Sequence, residues 1–338
     1  MKFDLTSSKA QTVFFVVILA ITVFVVWKCY WRIQVMYNSS TLSLYTPDSF
    51  AVPPQHQSQH NEITRYGFTQ MKNQTVVICA LLRDVATKLK EIRTRAERLG
   101  RGFKDYRIVI VENDSSDGTR RLLKEWRKSN PRVIILGCGV NSERDECKLP
   151  KAATKTEGHG VDRRRIEKMT HLRNIYLDYV KRSLPDFDYT VVWDMDIVGT
   201  VYLDGVANTI GHFSHSKSPA NDADAICAYG IYRWGWVTLY YDTYAHVDKD
   251  DRFHIDLKTI HDLKKGLGIQ YERGKPPIPV VSCFSGFTIY RNASLRDGKV
   301  VYDMSPPDNL ECEHVRLHRH LSNVYLNPSM IHFVLLND

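Results

Sequence analysis

No CxxC pair occurs among the seven cysteines, no zinc-finger spacing, basic zipper or arginine–glycine tract occurs anywhere, and no segment repeats. The first absence argues against a structural zinc. The second leaves nucleic acid without a motif, although the formal net charge of +8 suits an anionic ligand. A phosphate-rich small molecule, a lipid surface, or a basic surface kept for solubility accounts for that charge equally well. The third removes stacked-repeat architectures. At 338 residues the chain is long enough for one sizeable core.

Long apolar runs are scarce too, with one exception. TVFFVVILAITVFVVW, residues 12–27, is followed by Lys28 and Arg32. At about 1.5 Å per residue it is slightly short for a hydrocarbon layer of roughly 30 Å, but Cys29, Tyr30 and Trp31 extend it past a Lys28 able to snorkel. A cleaved signal peptide is the rival reading, and Trp27, Tyr30 and Trp31 make a poor small-residue cleavage site for it. The expectation is a tail over 1–11 and a transmembrane signal anchor over 12–31. Flanking charges nearly tie and do not orient it. Tyr37 to Gln70 is rich in Ser, Pro, Gln and His, and a flexible stem is expected over 32–71. If the body is lumenal, Asn38 and Asn292 head glycan acceptor patterns, as do Asn73 and Asn113.

Six cysteines lie in the body. Cys79, Cys227 and Cys283 sit in strand-like runs, which predicts free buried thiols. Cys138 and Cys147, in a polar loop, are the expected disulfide. The remaining body cysteine is Cys312.

From residue 72 the pattern alternates. QTVVICAL reads as a strand, and residues 83–99 as a helix with Val85, Leu89, Ile92, Ala96 and Leu99 on one face, closed by Gly100. YRIVIV, a helix through Leu122, Leu123 and Trp126, and the strand RVIIL follow. Residues 137–161 read as a charged loop, and 162–183 as an amphipathic helix leading into YTVVWD. Beyond residue 200 the strands AICAYGIYRWGWVTLYY, IPVVSCF and GFTIYR surround a polar insert at 243–277. Such alternation predicts one α/β domain over 72–338, its parallel sheet covered on both faces.

YTVVW ends in Asp194-Met195-Asp196. Alternation along a strand points both carboxylates the same way, and the C-terminal rim of an α/β sheet is where ligands bind. Two such oxygens suit Mn²⁺ or Mg²⁺ bridged to a diphosphate, with the cation acting as a Lewis acid on the leaving group. Two solvated turn aspartates are the plain alternative. DMDIV also fits the DxDx[TV] pattern of haloacid-dehalogenase-like phosphatases, where the pair usually ends the first strand of the core; here two good strands precede it. The turn VENDSSDGT, residues 111–119, is capped by Ser116 or Asp117 and leaves Glu112, Asn113 and Asp114 at a strand tip, able to accept from a base or ribose. It is also a good β-to-α turn in its own right.

Taken together, VIVENDSSDGT, HLRNIYLD, VVWDMD, VSCFSGFTIYR and ECEHVRLHRHL resemble the family of fungal capsule-associated proteins and cryptococcal α-1,3-mannosyltransferase, over roughly residues 74–326. The resemblance implies a GT-A-like, Rossmann-type mixed sheet flanked by helices, and a nucleotide-sugar glycosyltransferase. It implies a hexose moved from a GDP- or UDP-linked donor, mannose from GDP-mannose first, to a glycan hydroxyl, with Mn²⁺ or Mg²⁺. It also implies a single-pass type II protein whose catalytic domain lies in the lumen of the Golgi or endoplasmic reticulum.

Carried onto this chain, the donor set is Ala80, Leu81, Arg83, Glu112, Asn113, Asp114, Arg173, Asn174, Asp194 and Met195. Asp194 and Asp196 hold the metal, with His314 as a third ligand. Glu311 or Glu313 serves as a base or stabilises charge at the anomeric carbon. Trp234, Ser285 and Gly286 meet the acceptor. Trp193 and Met195 depart from the residues often seen around the pair. A catalytically inactive, glycan-binding relative supporting a partner enzyme is the other functional class.

Overall fold

The computed structural model describes residues 8–40, 45–47, 50–113, 115–137, 163–197, 199–234, 237–250, 262–305 and 310–334. The chain divides into two units, Met1–Ser43 and Leu44–Asp338. The first contains helix α1 (Ser8–Ser40). Within α1 the side chains of residues 11–27 are described and mostly exposed; those of Lys28, Cys29 and Trp31, part of the expected anchor, lie outside the described residues. Among the described residues no helix is long and apolar enough to cross a membrane.

The second unit begins with α2 (Pro54–Met71), β1 (Thr75–Leu82), α3 (Leu89–Arg101), β2 (Asp105–Glu112), α4 (Thr119–Ser129) and β3 (Val133–Gly137). It continues through α5 (Arg163–Ser183), β4 (Tyr189–Trp193), β5 (Gly199–Val201), α6 (Leu203–Ser214), β6 (Ala225–Trp234), β7 (Val237–Tyr240), β8 (Val247–Asp248) and α7 (Leu263–Gly268). Last come β9 (Ile278–Ser282), β10 (Phe287–Arg291), α8 (Asn292–Leu295), α9 (Glu313–His318) and β11 (Val324–Val334). The strands form one sheet in the order β3-β2-β1-β4-β10-β6-β11-β9-β8, with β5 on β11 and β7 on β6.

The expected α/β layout is present as a mixed sheet. β1, β2, β3 and β4 are parallel, so the loops that follow them share one rim. Their continuous apolar runs are buried, as helix-covered parallel strands require. β10 runs antiparallel to β4, pairing its first residue, Phe287, with the last residue of β4, Trp193. That geometry returns the chain just before β10 to the same rim.

Four expectations need correction. Residues 54–71, expected in a flexible stem, form α2 and pack on α6. Gly67 approaches α6 so closely that a Cβ there would lie 1.7 Å from the Ala207 carbonyl oxygen, and Gly211 meets the Ile63 carbonyl in the same way at 2.3 Å. A Gln- and His-rich outer face hid an inner face of His60, Ile63, Gly67 and Met71. Upstream, Thr46 bonds Asp204 through its N–H (3.1 Å) and hydroxyl (2.9 Å), and Arg273 clamps the other Asp204 oxygen at 2.8 Å.

The second correction concerns cysteine. Cys227 and Cys283 are disulfide-bonded, whereas Cys79 and Cys312 are free and buried. Strand propensity showed that both partners were buried but not that β6 and the end of β9 lie together. The Cys138–Cys147 pairing lies outside the described residues. Third, Asn292 is no glycan acceptor: it is buried, takes a hydrogen bond from Thr190 (2.8 Å) and donates to the Leu184 and Pro185 carbonyls. Fourth, β11 lies inside the sheet between β6 and β9, where no strand was expected. Pro328 cannot donate, and the register shifts between Asn327 and Ile331 to accommodate it.

Candidate active site

The helix expected from residue 83 starts at Leu89 because 83–88 are diverted into the rim. Asp84, at φ 50, accepts from Ser116 N at 2.7 Å, and Ser115 Oγ accepts from Asp84 N at 3.0 Å. Thr119 Oγ1 accepts from Val85 N at 2.8 Å and Asp117 from Ala86 N at 2.9 Å. The loops after β1 and β2 are therefore stitched into one ledge. Glu112 organises it: its buried carboxylate accepts from Ser115 N (2.7 Å) and from Arg120 (2.8 Å). Asn113 is buried, its N–H donating to Leu82 O at 3.3 Å. Ala80 is buried inside β1, Leu81 is half-buried, and Arg83 is exposed and paired with Asp84 at 3.3 Å. Asp114 lies outside the described residues.

Asp194 and Asp196 follow β4 on the same rim. Asp194 N donates to Gly286 O at 2.9 Å, which ties the pair to the turn before β10. Met195, between them, is buried. Behind Asp194 stands Arg173 from α5, buried to 2% exposure and not at the surface. It donates to Asp194 at 3.1 Å, to Glu313 at 2.9 Å and to the Tyr176 hydroxyl at 3.3 Å, and lies 5.1 Å from the Phe284 ring centroid. Burial alone lowers its proton affinity, but Tyr176, Asp194 and Glu313 outweigh that and hold it charged. Asn174, next along the helix, faces elsewhere. Its amide exchanges hydrogen bonds with the Tyr302 backbone at 2.9 and 3.0 Å, a scaffold contact.

Negative charge exceeds the buried positive charge here. Burial raises Asp194, the Arg173 cation opposes that rise, and Glu313 adds to it. Burial and the Asp194 charge push Asp196 up to about 6. Its carboxyl is still exposed, so water screening softens that push. Asp242, absent from the sequence-derived set, is raised to about 7 by burial and by Asp194, with Glu313 contributing. Hard oxygen donors carrying surplus negative charge suit a divalent cation. Asp194 and Asp196 fit that ion.

His314 does not join them. Its ring stacks on Phe284 with centroids 3.5 Å apart and lies edge-on to Tyr302 at 5.6 Å. Burial, then the Arg173 charge, lowers its proton affinity strongly. Among the described residues no group of three or more His, Cys, Asp or Glu side chains is placed to hold a metal. Of the two late glutamates, Glu313 reaches the site through Arg173. Glu311 is engaged by Arg316 (3.3 Å) and Arg319 at the surface. Ser285 is fully buried, its hydroxyl donating to Tyr240 at 2.8 Å, so it cannot present that group to an acceptor. Gly286, at φ 74, leaves no room for a side chain because His332 is packed against it. The Trp234 side chain lies outside the described residues.

The family model described as Cryptococcal mannosyltransferase 1 matches residues 75–317, from the first residue of β1 into α9. The chain belongs to that family. The match spans the ledge, the aspartate pair, Arg173 and Glu313, and assigns the chain to the glycosyltransferases. The phosphatase alternative falls with that assignment. No curated protein sequence matches the chain.

Solved structures similar to it include S. aureus TarS 1-349 in complex with UDP-GlcNAc, at 10% identity and TM-score 0.45, covering 78% of this chain and 59% of that one. Mannosyltransferase PcManGT from Pyrobaculum calidifontis, in complex with GDP-Man and Mn²⁺, is 11% identical with TM-score 0.42, covering 82% and 66%. GalNAc-T7 with UDP, GalNAc and Mn²⁺ is 10% identical with TM-score 0.42, covering 85% and 54%. This chain thus spans less than two thirds of each. Likenesses at this level carry no argument about activity.

Proposed function

We propose that the protein transfers a hexose, mannose from GDP-mannose first, from a nucleoside diphosphate to a glycan hydroxyl in a metal-dependent reaction. The observation that carries this reading is the position of Asp194 and Asp196. They sit on the rim of the parallel strands, beside the ledge from the loops after β1 and β2, within a site rich in carboxylates. Asp194 and Asp196 would hold Mn²⁺ or Mg²⁺. When bound, the ion supplies Lewis-acid stabilisation to the departing diphosphate.

This chain's own residues do the remainder. Arg173 fixes one Asp194 oxygen and neutralises part of the site. The ledge built on Asp84, Glu112 and Ser116 presents backbone to the nucleoside. α1 anchors the chain in a membrane by its exposed apolar residues, among them Val13, Phe15, Leu19 and Val26. The catalytic domain lies on the lumenal side in the Golgi or endoplasmic reticulum, a placement supported by the Cys227–Cys283 disulfide.

The test uses the full chain in detergent. GDP, UDP and CMP are compared for thermal stabilisation with and without Mn²⁺, and GDP-mannose for release of nucleoside diphosphate. GDP with Mn²⁺ is expected to stabilise most, and Asp196→Asn to lose both metal dependence and turnover while remaining folded. Undiminished, metal-independent turnover in that variant refutes the reading.

A further inference from the structure

Asp242 has no part in the donor and metal roles above. Its backbone is at φ 66, in the left-handed region that residues with a Cβ seldom adopt. Several contacts hold it there. Ser285 N donates to Asp242 Oδ2 at 3.0 Å, and Ala245 N to the Asp242 carbonyl at 3.2 Å. Ser285 is itself at φ 56. Its hydroxyl is tied to Tyr240, and its carbonyl accepts from His332 Nδ1 at 2.6 Å. Gly230 leaves it space, since a Cβ there would fall 2.6 Å from that of Ser285.

The next residue, Gly286, gives its carbonyl to Asp194 N. One two-residue turn therefore fixes Asp242 at one end and Asp194 at the other. Strained backbone that so many contacts enforce marks functional positions. The charge makes the same point. An asparagine would accept the Ser285 N–H equally well, so the hydrogen bond does not explain a carboxylate kept half-buried among other carboxylates. The neighbouring acids are engaged elsewhere: Glu313 by Arg173, Glu311 by Arg316 and Arg319.

We propose that Asp242 receives the acceptor: its carboxylate takes the hydrogen bond of the sugar hydroxyl that is to be glycosylated, while Asp194 and Asp196 serve the donor. The inference rests on the glycosyltransferase reading. The acceptor is accordingly a carbohydrate with a free hydroxyl, and Asp242 contributes to acceptor affinity and turnover but not to donor affinity.

The experiment compares full-length wild type with Asp242→Asn and Asp242→Glu. Donor-side binding is read as thermal stabilisation by GDP with Mn²⁺. Turnover is read as nucleoside diphosphate released from GDP-mannose, alone and with the methyl glycosides of mannose, glucose, galactose and xylose. Asp242→Asn is expected to keep the nucleotide-dependent stabilisation and to lose about 100-fold in the acceptor-stimulated rate, with partial rescue in Asp242→Glu. If none of the four glycosides stimulates wild type, the same loss is expected in donor hydrolysis, where water takes the hydroxyl's place. Wild-type turnover in Asp242→Asn overturns the proposal. Loss of nucleotide stabilisation in that variant overturns it too, by making Asp242 a donor or metal residue. A wild type unresponsive to nucleotide and Mn²⁺ removes the glycosyltransferase reading itself, a result separable from the other two.

Discussion

Replacing Asp242 by asparagine should stabilise the fold. The carboxyl stands at about 7 instead of its ordinary 3.8 because it is buried near Asp194 and Glu313. A rise of about three pH units corresponds to ~4 kcal/mol at 1.36 kcal/mol per unit. The group is half-buried and water screens part of that, so about 2 kcal/mol is the working figure. The folded state binds this proton more tightly than the unfolded state. The associated stability is therefore complete below pH 4 and is lost as pH rises through 7. Asparagine removes the dependence and still accepts the Ser285 N–H. In metal-free buffer at pH 8 the variant should melt roughly 4–8 °C above wild type, and the gap should close toward pH 4. Calorimetry across that range is the assay. A variant less stable than wild type at pH 8, or a gap that does not depend on pH, refutes the charge-crowding argument.

Two further outcomes follow from the packing. Arg173→Met strips the buried counter-charge from Asp194 and Glu313. It should cost about 3–5 kcal/mol in a denaturant titration, and a variant of unchanged stability removes Arg173 as the site's internal counter-ion. Gly67→Ala forces a Cβ against the Ala207 carbonyl of α6. It should lower the melting temperature measurably, with a cost of about 1–3 kcal/mol, whereas an exposed stem helix would register nothing.

Much of the site was legible because its signals are local. A β-branched run closing on Asp-Met-Asp, and a turn rich in Asp, Ser and Gly, each declare themselves within a dozen residues. The parallel strands were readable for the same reason: β1, β2 and β4 are short continuous apolar runs. What escaped reading depends on distant partners. The α2 face is built of two close approaches to α6, and glycine leaves no hydrophobic mark. β11 carries Asn327, Pro328 and Ser329 mid-strand, and its strand character comes from β6 and β9 on either side. Cys227 finds Cys283 through sheet topology, at a sequence separation of 56. Arg173 was expected at the donor, and its part as a buried counter-ion was hidden because the carboxylates it meets, Asp194 and Glu313, come from elsewhere in the chain. Asp242 stood in no motif at all, and its importance comes from a backbone angle and the turn that enforces it.

The packing of α2 and the bonds of Thr46 set a boundary for anyone trimming the protein. A version cut at residue 60 or 72 would lose a third or all of α2, uncovering the face of α6 on which it packs and freeing Asp204 from Thr46. A shortened protein that keeps this packing has to begin upstream of Thr46.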